Sequence, residues 1–299
     1  MMFKMQDRYA EMFAMMGQSF ASVEGKLWVL YNHMVVPVGP IKHSYAICRE
    51  SSRYLLSRFK SALMVRYTGG FEQPAQDAWY ALYIDTFSEV SELSSRYRTE
   101  IRKGLKRCTA QRIDPEYFLR HGYTIYEQAI KRYDKVYNAL GSKSEFQSKY
   151  AALQQFQDIQ HIWGVFYDNT LIGYMLINLY DRVEAHFSSL KLHADYLRHR
   201  PSECLFYHNL QYYLQQHQFE YINASFKSLL HPSALQDFLV RKFAFVRKPL
   251  SLGLHFRPTV LFLLRLFSPM RHSFSRSIPS LDALYTLQEI QRSQSTDSI

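Results

Sequence analysis

Hydrophobic and polar positions change their period along the chain, and those changes mark out its elements. Lys26–Val38 (KLWVLYNHMVVPV) is rich in β-branched and aromatic residues and is interrupted at Asn32-His33, which predicts a pair of strands. Gly39-Pro40 is a turn signal. Glu50–Lys60 places Tyr54, Leu55 and Phe59 on one face of a helix. Leu63–Tyr67 reads as a strand closed by Gly69-Gly70, and Trp79–Phe87 as another. Met1–Phe20 reads as a helix or a loose lead-in.

In Ser91–Arg107, Tyr97, Ile101 and Leu105 recur every four residues, and so do Arg98, Arg102 and Lys106, which predicts an amphipathic helix with a basic stripe. Gly104 inside it costs about 1 kcal/mol of helix propensity relative to Ala, an expense that a close backbone approach or a helix crossing would explain. Asp114-Pro115 opens a helix expected to run to about Leu140, and Ser144–Gln157 predicts a further one. Ile162–Tyr167, Leu171–Tyr180 and Val183–Leu192 then read as an antiparallel meander turning at Asp168-Asn169 and Asp181-Arg182. A long helix (Ser202–Gln218), a strand (Phe219–Ser225) and a short helix (Pro232–Lys242) follow. Phe243–Val246 and Leu252–Phe256 predict a final hairpin, and the tail after Asp282 a loose helix with a disordered Ser/Thr/Gln-rich end. The order predicts an α+β fold with a mixed sheet.

That order, with these local sequences, resembles the GNAT acyltransferase fold, and more closely its branch of Fem-type peptidyltransferases and their single-chain relatives. Three segments carry the resemblance: the basic helix YRTEIRKGLKR (Tyr97–Arg107), the paired strands GVFYDNTLIGYMLINLY (Gly164–Tyr180), and ADYLRHRPSECLFYHNL (Ala194–Leu210) followed by Phe219–Ser225. It covers roughly residues 91 to 256, and implies a GNAT-like domain over 91–257. Residues 1–90 would be a smaller α/β half, and 258–299 a basic and apolar extension.

The resemblance implies an N-acyltransferase that passes an acyl group directly to an amine in a ternary complex. The strand Val183–Leu192 would splay from Phe219–Ser225, exposing backbone groups to the pantetheine arm of an acyl-CoA donor. The loop and helix start at His193–Ser202 would hold pyrophosphate, with Arg198, His199, Arg200 and Ser202 as contacts. This loop contains no glycine, and Pro201 lacks an N–H. An acetyl-CoA or other CoA-type donor, an aminoacyl-tRNA and a carrier-protein donor therefore all stay open, as do small-molecule and lipid-linked amine acceptors. Strand alternation puts Glu184, His186 and Ser188 on one face, where His186 or Glu184 would act as base. Asn223 and Ser225, on the next strand, would orient the acceptor or polarise the carbonyl, and Tyr207 would be an acid.

Charge adds a competing class. The chain has 299 residues and a formal net charge of +10. Arg241, Lys242, Arg247, Lys248, Arg257, Arg265, Arg271 and Arg276 lie between Phe238 and Ser280 with no Asp or Glu among them. Such a run suits nucleic acid or an anionic bilayer, so a non-catalytic module of the same fold binding RNA or membrane is the alternative. The apolar run Val260–Leu264 is too short to span a bilayer and could lie at its interface. Three dispersed cysteines predict neither disulfides nor a structural zinc site, and the twelve histidines show no metal-ligand spacing. The charged N-terminus reads as non-secretory, so a cytoplasmic protein, with or without peripheral membrane contact, is expected.

Overall fold

The computed structural model describes residues 2–71, 78–131, 141–229, 234–271 and 279–296. The chain forms two compact units, each discontinuous in sequence. The first contains residues 1–16, 83–225 and 238–246; the second contains 17–82, 226–237 and 247–299. Residues 1–16 belong to the first unit and 258–299 to the second.

In the first unit, helix α1 (Met2–Met15) precedes a sheet built from β6 (Thr109–Arg112), β7 (Gln160–Tyr167), β8 (Thr170–Tyr180), β9 (Glu184–Leu192) and β10 (Tyr221–Phe226) in the order β10-β9-β8-β7-β6. β6 through β9 run antiparallel, whereas β10 lies parallel to β9. The β7–β8 turn works because Asp168 and Asn169 both take positive φ, the geometry a two-residue hairpin demands. β7 and β8 are buried on both faces, which is why they read as near-continuous apolar runs.

Helices α4 (Pro115–Ile130) and α6 (Pro201–Leu210) pack on this sheet, with α5 (Lys143–Tyr150) against α4 and α3 (Ser95–Arg107) against α6. Asp114 caps α4 by accepting the Glu116 N–H at 2.7 Å, ahead of Pro115 at the first turn. The rest of the helix expected to reach Leu140 lies outside the described residues. Ser142 and Glu145 form a reciprocal capping box on α5. α6 continues as one wider turn over Gln211–Gln216. On α1, the buried Tyr9 hydroxyl donates to the carbonyls of Ile159 and Leu179, and Arg8 pairs with Asp158 at 2.8 Å.

The second unit holds β1 (Phe20–Val23), β2 (Lys26–Tyr31), β3 (Met34–Pro37), β4 (Met64–Thr68) and β12 (Leu252–Phe256) in one sheet, in the order β1-β2-β3-β4-β12. Asn32 and His33 turn β2 into β3 with positive φ. α2 (Arg49–Arg58) packs Leu55 and Leu56 on Trp28, Val35 and Val65. Tyr54, expected beside Leu55, is instead 56% exposed. β12 pairs with β4, so the hairpin expected between it and β11 (Val246–Pro249) is corrected: the apolar edge of β4 offers the longer partner. The C-terminal helix, α9 (Pro279–Thr296), is docked, not loose: Ala283, Tyr285, Leu287 and Ile290 are buried, and Gln291 and Gln294 donate to the carbonyls of Leu254 and Leu250. Between these strands and α9 lies α8 (Pro258–Phe267); α7 is Ala234–Phe243.

Candidate active site

β9 and β10 pair only over Glu184–Tyr221, Ala185–Ile222 and His186–Asn223. β9 then runs on to Leu192 and β10 to Phe226 without further partners between them, so the sheet forks at His186 and Asn223. Beyond the fork β9 stays paired with β8 alone, as far as Leu192.

Polar residues meet at the fork in two rows. In the first, Gln160, Asn178, His186 and Asn223 are successive cross-strand partners over β7 to β10. In the second, Tyr180, Glu184 and Tyr221 are partners one step deeper. The Glu184 carboxylate is wholly buried, accepting from the Tyr221 hydroxyl at 2.8 Å and from the Asn223 amide at 3.0 Å. Asn223 is fixed at its other end, where Oδ1 accepts the Ser225 N–H at 3.2 Å. Its amide thus holds Glu184, and its position is that of a strut at the fork. His186 is half-buried, and burial pulls its imidazole down to about 4, so the ring is neutral at neutral pH. Burial, followed by the nearby Glu184 charge, raises the Tyr180 phenol.

Ser188 does not share the face of Glu184 and His186. A bulge between Leu176 and Ile177 pairs them with Ser189 and Phe187, leaving Ser188 as the extra residue with its hydroxyl donated to the Leu176 carbonyl at 3.0 Å. Strict alternation fails beyond Phe187 for this reason. Tyr207 lies on α6 with its hydroxyl on Glu89 at 2.9 Å and its ring against Phe87, and its phenol is pushed up to about 12 by burial and then by that bond. The structure thus brings together Glu184, His186 and Asn223, and directs Ser188 and Tyr207 elsewhere.

The loop after β9 is built differently from an anion cradle. His199 is buried against Tyr167, ring centroids 3.9 Å apart, and its imidazole is lowered by burial and then by Arg198, Arg107 and Lys103. Arg200 takes a left-handed conformation (φ 64°) and faces Glu203 at 3.5 Å and Glu100 at 3.7 Å. The Ser202 hydroxyl donates to Glu203 at 2.7 Å. Glu203, on the first turn of α6, is 1% exposed and also bonds Lys242 at 2.7 Å, while Lys242 bonds Glu100 as well. Of the four expected phosphate contacts, Arg198 alone is exposed.

Gly104 explains the closure. A Cβ there would sit 2.7 Å from the Arg200 carbonyl oxygen and 3.2 Å from both Cys204 N and Glu203 Cβ. The α3 backbone therefore lies directly on the α6 N-terminus, the close approach its glycine suggested. The Cys204 thiol seals the contact by donating to the Cys108 carbonyl at 3.2 Å. At the α6 start, where the resemblance set a donor's pyrophosphate, the α3 backbone lies close, the Glu203 carboxylate occupies the first turn, and Pro201 offers no N–H. The exposed cations are displaced to the outer face of α3, at Arg102, Lys103, Lys106 and Arg107.

His193, the residue after β9, lines a cleft of about 380 Å³ with Tyr117, His121, Asn169, Thr170 and Tyr196. The acidic residues and Lys242 around α6, and Asn178 and Tyr221 at the fork, were not singled out by the sequence. Asn178 and Tyr180 were readable in principle, because the tight turn from β8 into β9 aligns them with His186 and Glu184. Glu100, Glu203 and Lys242 had no local signal, being joined only by folding.

Neutral buried imidazoles have a stability consequence. His186 is lowered to about 4 and His161 to about 3, the latter by burial and then by Arg112 and His217. Both folded values lie below the unfolded 6.5, so the unfolded chain binds more protons at mildly acid pH. This stabilisation is complete above 6.5 and is lost as pH falls toward 3–4, by about 1.4 kcal/mol per pH unit per histidine. The thermal midpoint should be level above about pH 6.5 and fall from there to pH 4.5, less steeply in His161→Gln. A midpoint independent of pH over that range would contradict the burial argument.

No family model and no curated protein matches the sequence. Solved structures do match in fold. A domain described as the C-terminal part of a lysylphosphatidylglycerol synthetase from Agrobacterium fabrum aligns with a TM-score of 0.52 at 12% identity, covering 90% of this chain and 96% of that one. FemX aligns with a TM-score of 0.55 at 12% identity, covering 86% of this chain and 92% of that one. With its forked mixed sheet and flanking helices, the chain has the GNAT-like α+β fold, in the form shared with FemX.

Proposed function

We propose that this chain is an acyltransferase that moves an aminoacyl group from tRNA to an amine in a ternary complex. The observation that carries the reading is the fork: strand pairing stops at His186–Asn223, where the half-buried neutral imidazole of His186 stands beside Glu184 held by Tyr221 and Asn223. The fold shared with FemX and with the synthetase domain agrees with acyl transfer. The tRNA donor is favoured over CoA because the α6 N-terminus is closed, while the basic face of α3 and Arg198 remain exposed for a phosphate backbone. The aromatic rings of Tyr117 and Tyr196 in the cleft offer a stacking place for a terminal base.

In this reading the acceptor nitrogen attacks the ester carbonyl at the fork. The new N–C bond forms, the C–O bond to the ribose breaks, and the amine proton passes through His186 to the ribose oxygen. N–H groups of β9 beyond the fork face the developing oxyanion. Glu184, with both oxygens engaged and no exposure, acts as a positioning residue.

Binding separates the donors. A tRNA pool should bind with steep salt dependence, and Lys103→Ala and Arg107→Ala should each lower the slope by about 1. CoA and acetyl-CoA should leave the thermal midpoint unmoved, although a ligand at a hundred times its dissociation constant would add about 2.7 kcal/mol. A CoA-induced shift abolished by Arg198→Ala would overturn the choice of donor.

A further inference from the structure

Independently of the donor and of the transfer reaction, we infer that α8 is a docking surface for an anionic lipid bilayer. α8 (Pro258–Phe267, PTVLFLLRLF) is a strongly apolar helix with one side buried at Leu264 and an apolar side exposed. Phe262, Leu263 and Leu266 are 65%, 48% and 57% exposed. At 3.6 residues per turn these three fall within an arc of about 100°, and the buried Leu264 lies on the opposite side. That buried side is fixed to the second unit, since the Leu264 carbonyl accepts the Tyr285 hydroxyl of α9 at 2.8 Å. The helix is therefore held with one face in the core and an apolar face presented outward.

Charge selects the occupant. Arg265 is exposed at the edge of the apolar arc, and Arg58 and Lys60 are exposed near the start of the helix, where Arg257 donates to the carbonyls of Leu56, Phe59 and Lys60. The sequence carries no Asp or Glu from Phe238 to Ser280. On α9, Asp282 and Glu289 are both paired with Arg271. A second copy docked face to face by a twofold axis would bring the same cations, Arg265 among them, to both sides of the interface with no carboxylate from this stretch to answer them. An anionic interface instead supplies both an apolar layer for Phe262 and Leu266 and counter-charge for the rim. A ten-residue helix is about 15 Å long, half of a bilayer's hydrocarbon thickness, so α8 would lie in the interface and not cross it. No helix among the described residues is long and apolar enough to cross a membrane.

The test is flotation of the full chain with phosphatidylcholine vesicles, with and without about a third phosphatidylglycerol. The wild type should float with the anionic vesicles and not with the zwitterionic ones. Phe262→Ser with Leu266→Ser, and separately Arg265→Glu, should each weaken that binding at least tenfold at an unchanged thermal midpoint. Both alter exposed positions, and the single Arg265→Glu change keeps the test decisive if the double variant folds poorly. Absence of binding to anionic vesicles, or binding retained by both variants, would overturn the inference. So would a dimer in solution that Phe262→Ser with Leu266→Ser dissociates, because the face would then belong to a second copy.

Discussion

Replacing His186 by Gln is expected to slow acyl transfer about 10²- to 10⁴-fold, the range associated with loss of a general base. His186 sits at the last position where β9 pairs with β10, opposite Asn178 on one side and Asn223 on the other. Gln fills a similar volume and can hydrogen-bond, but it cannot carry a proton. Because the wild-type imidazole is already neutral at neutral pH, the substitution removes no folded-state charge, and the thermal midpoint at pH 7.5 should change little. The assay is single-turnover transfer from labelled aminoacyl-tRNA to an amine, with tRNA binding measured in parallel. Unchanged binding with lost transfer supports the proton role. Unchanged transfer would remove His186 from the proton path, whereas tRNA binding without any transfer by the wild type would point to the binding-module alternative. Glu184→Gln is the useful comparison: the Tyr221 hydroxyl can turn to accept from the new amide while Asn223 still donates to its oxygen. A loss as large as that of His186→Gln would move the proton to the carboxylate.

Lys242→Ala should destabilise the protein by about 3–5 kcal/mol, the usual result of breaking one side of a buried ion pair. The Lys242 side chain is 12% exposed and that of Glu203 only 2%. Lys242 bonds both Glu203 and Glu100, and its bond to Glu100 is the main reason that carboxyl lies below the ordinary range. Without the ammonium, Glu203 keeps Ser202 and the more distant Arg200, and α3 would be pressed onto an under-compensated carboxylate at the α6 N-terminus. A fall in thermal midpoint of roughly 10 °C is expected. Adding Glu203→Gln removes the stranded charge and should recover at least half of it. A fall of less than about 2 °C would show that solvent reaches the cluster and compensates it.

Much of the fold was legible because its signals are local. The meander β7–β8–β9 follows from three apolar runs and two tight turns, and α4 from Asp114-Pro115. Gly104 even announced the α3–α6 contact, since a glycine in an amphipathic helix needs a reason. What escaped depends on events that one strand or helix does not record. The bulge that turns Ser188 aside is a mismatch between two strands. The pairing of β12 with β4 joins segments almost two hundred residues apart. Arg198-His199-Arg200 with Ser202 were expected at a phosphate from the resemblance alone, and nothing local announces Glu100, which reaches Arg200 and Lys242 from a different helix. At the fork, Glu184 and His186 were visible by alternation, while Tyr221 and Asn178 became partners only once the strands were in register.

The most direct test of the account is to offer the wild-type protein two labelled donors side by side, a pool of aminoacyl-tRNAs and acetyl-CoA, with a mixture of amine acceptors. The account predicts that label moves from tRNA to an amine and that His186→Gln abolishes the transfer, with acetyl-CoA left intact. Acetylation from acetyl-CoA, or label that stays on tRNA while the protein merely binds it, would contradict it.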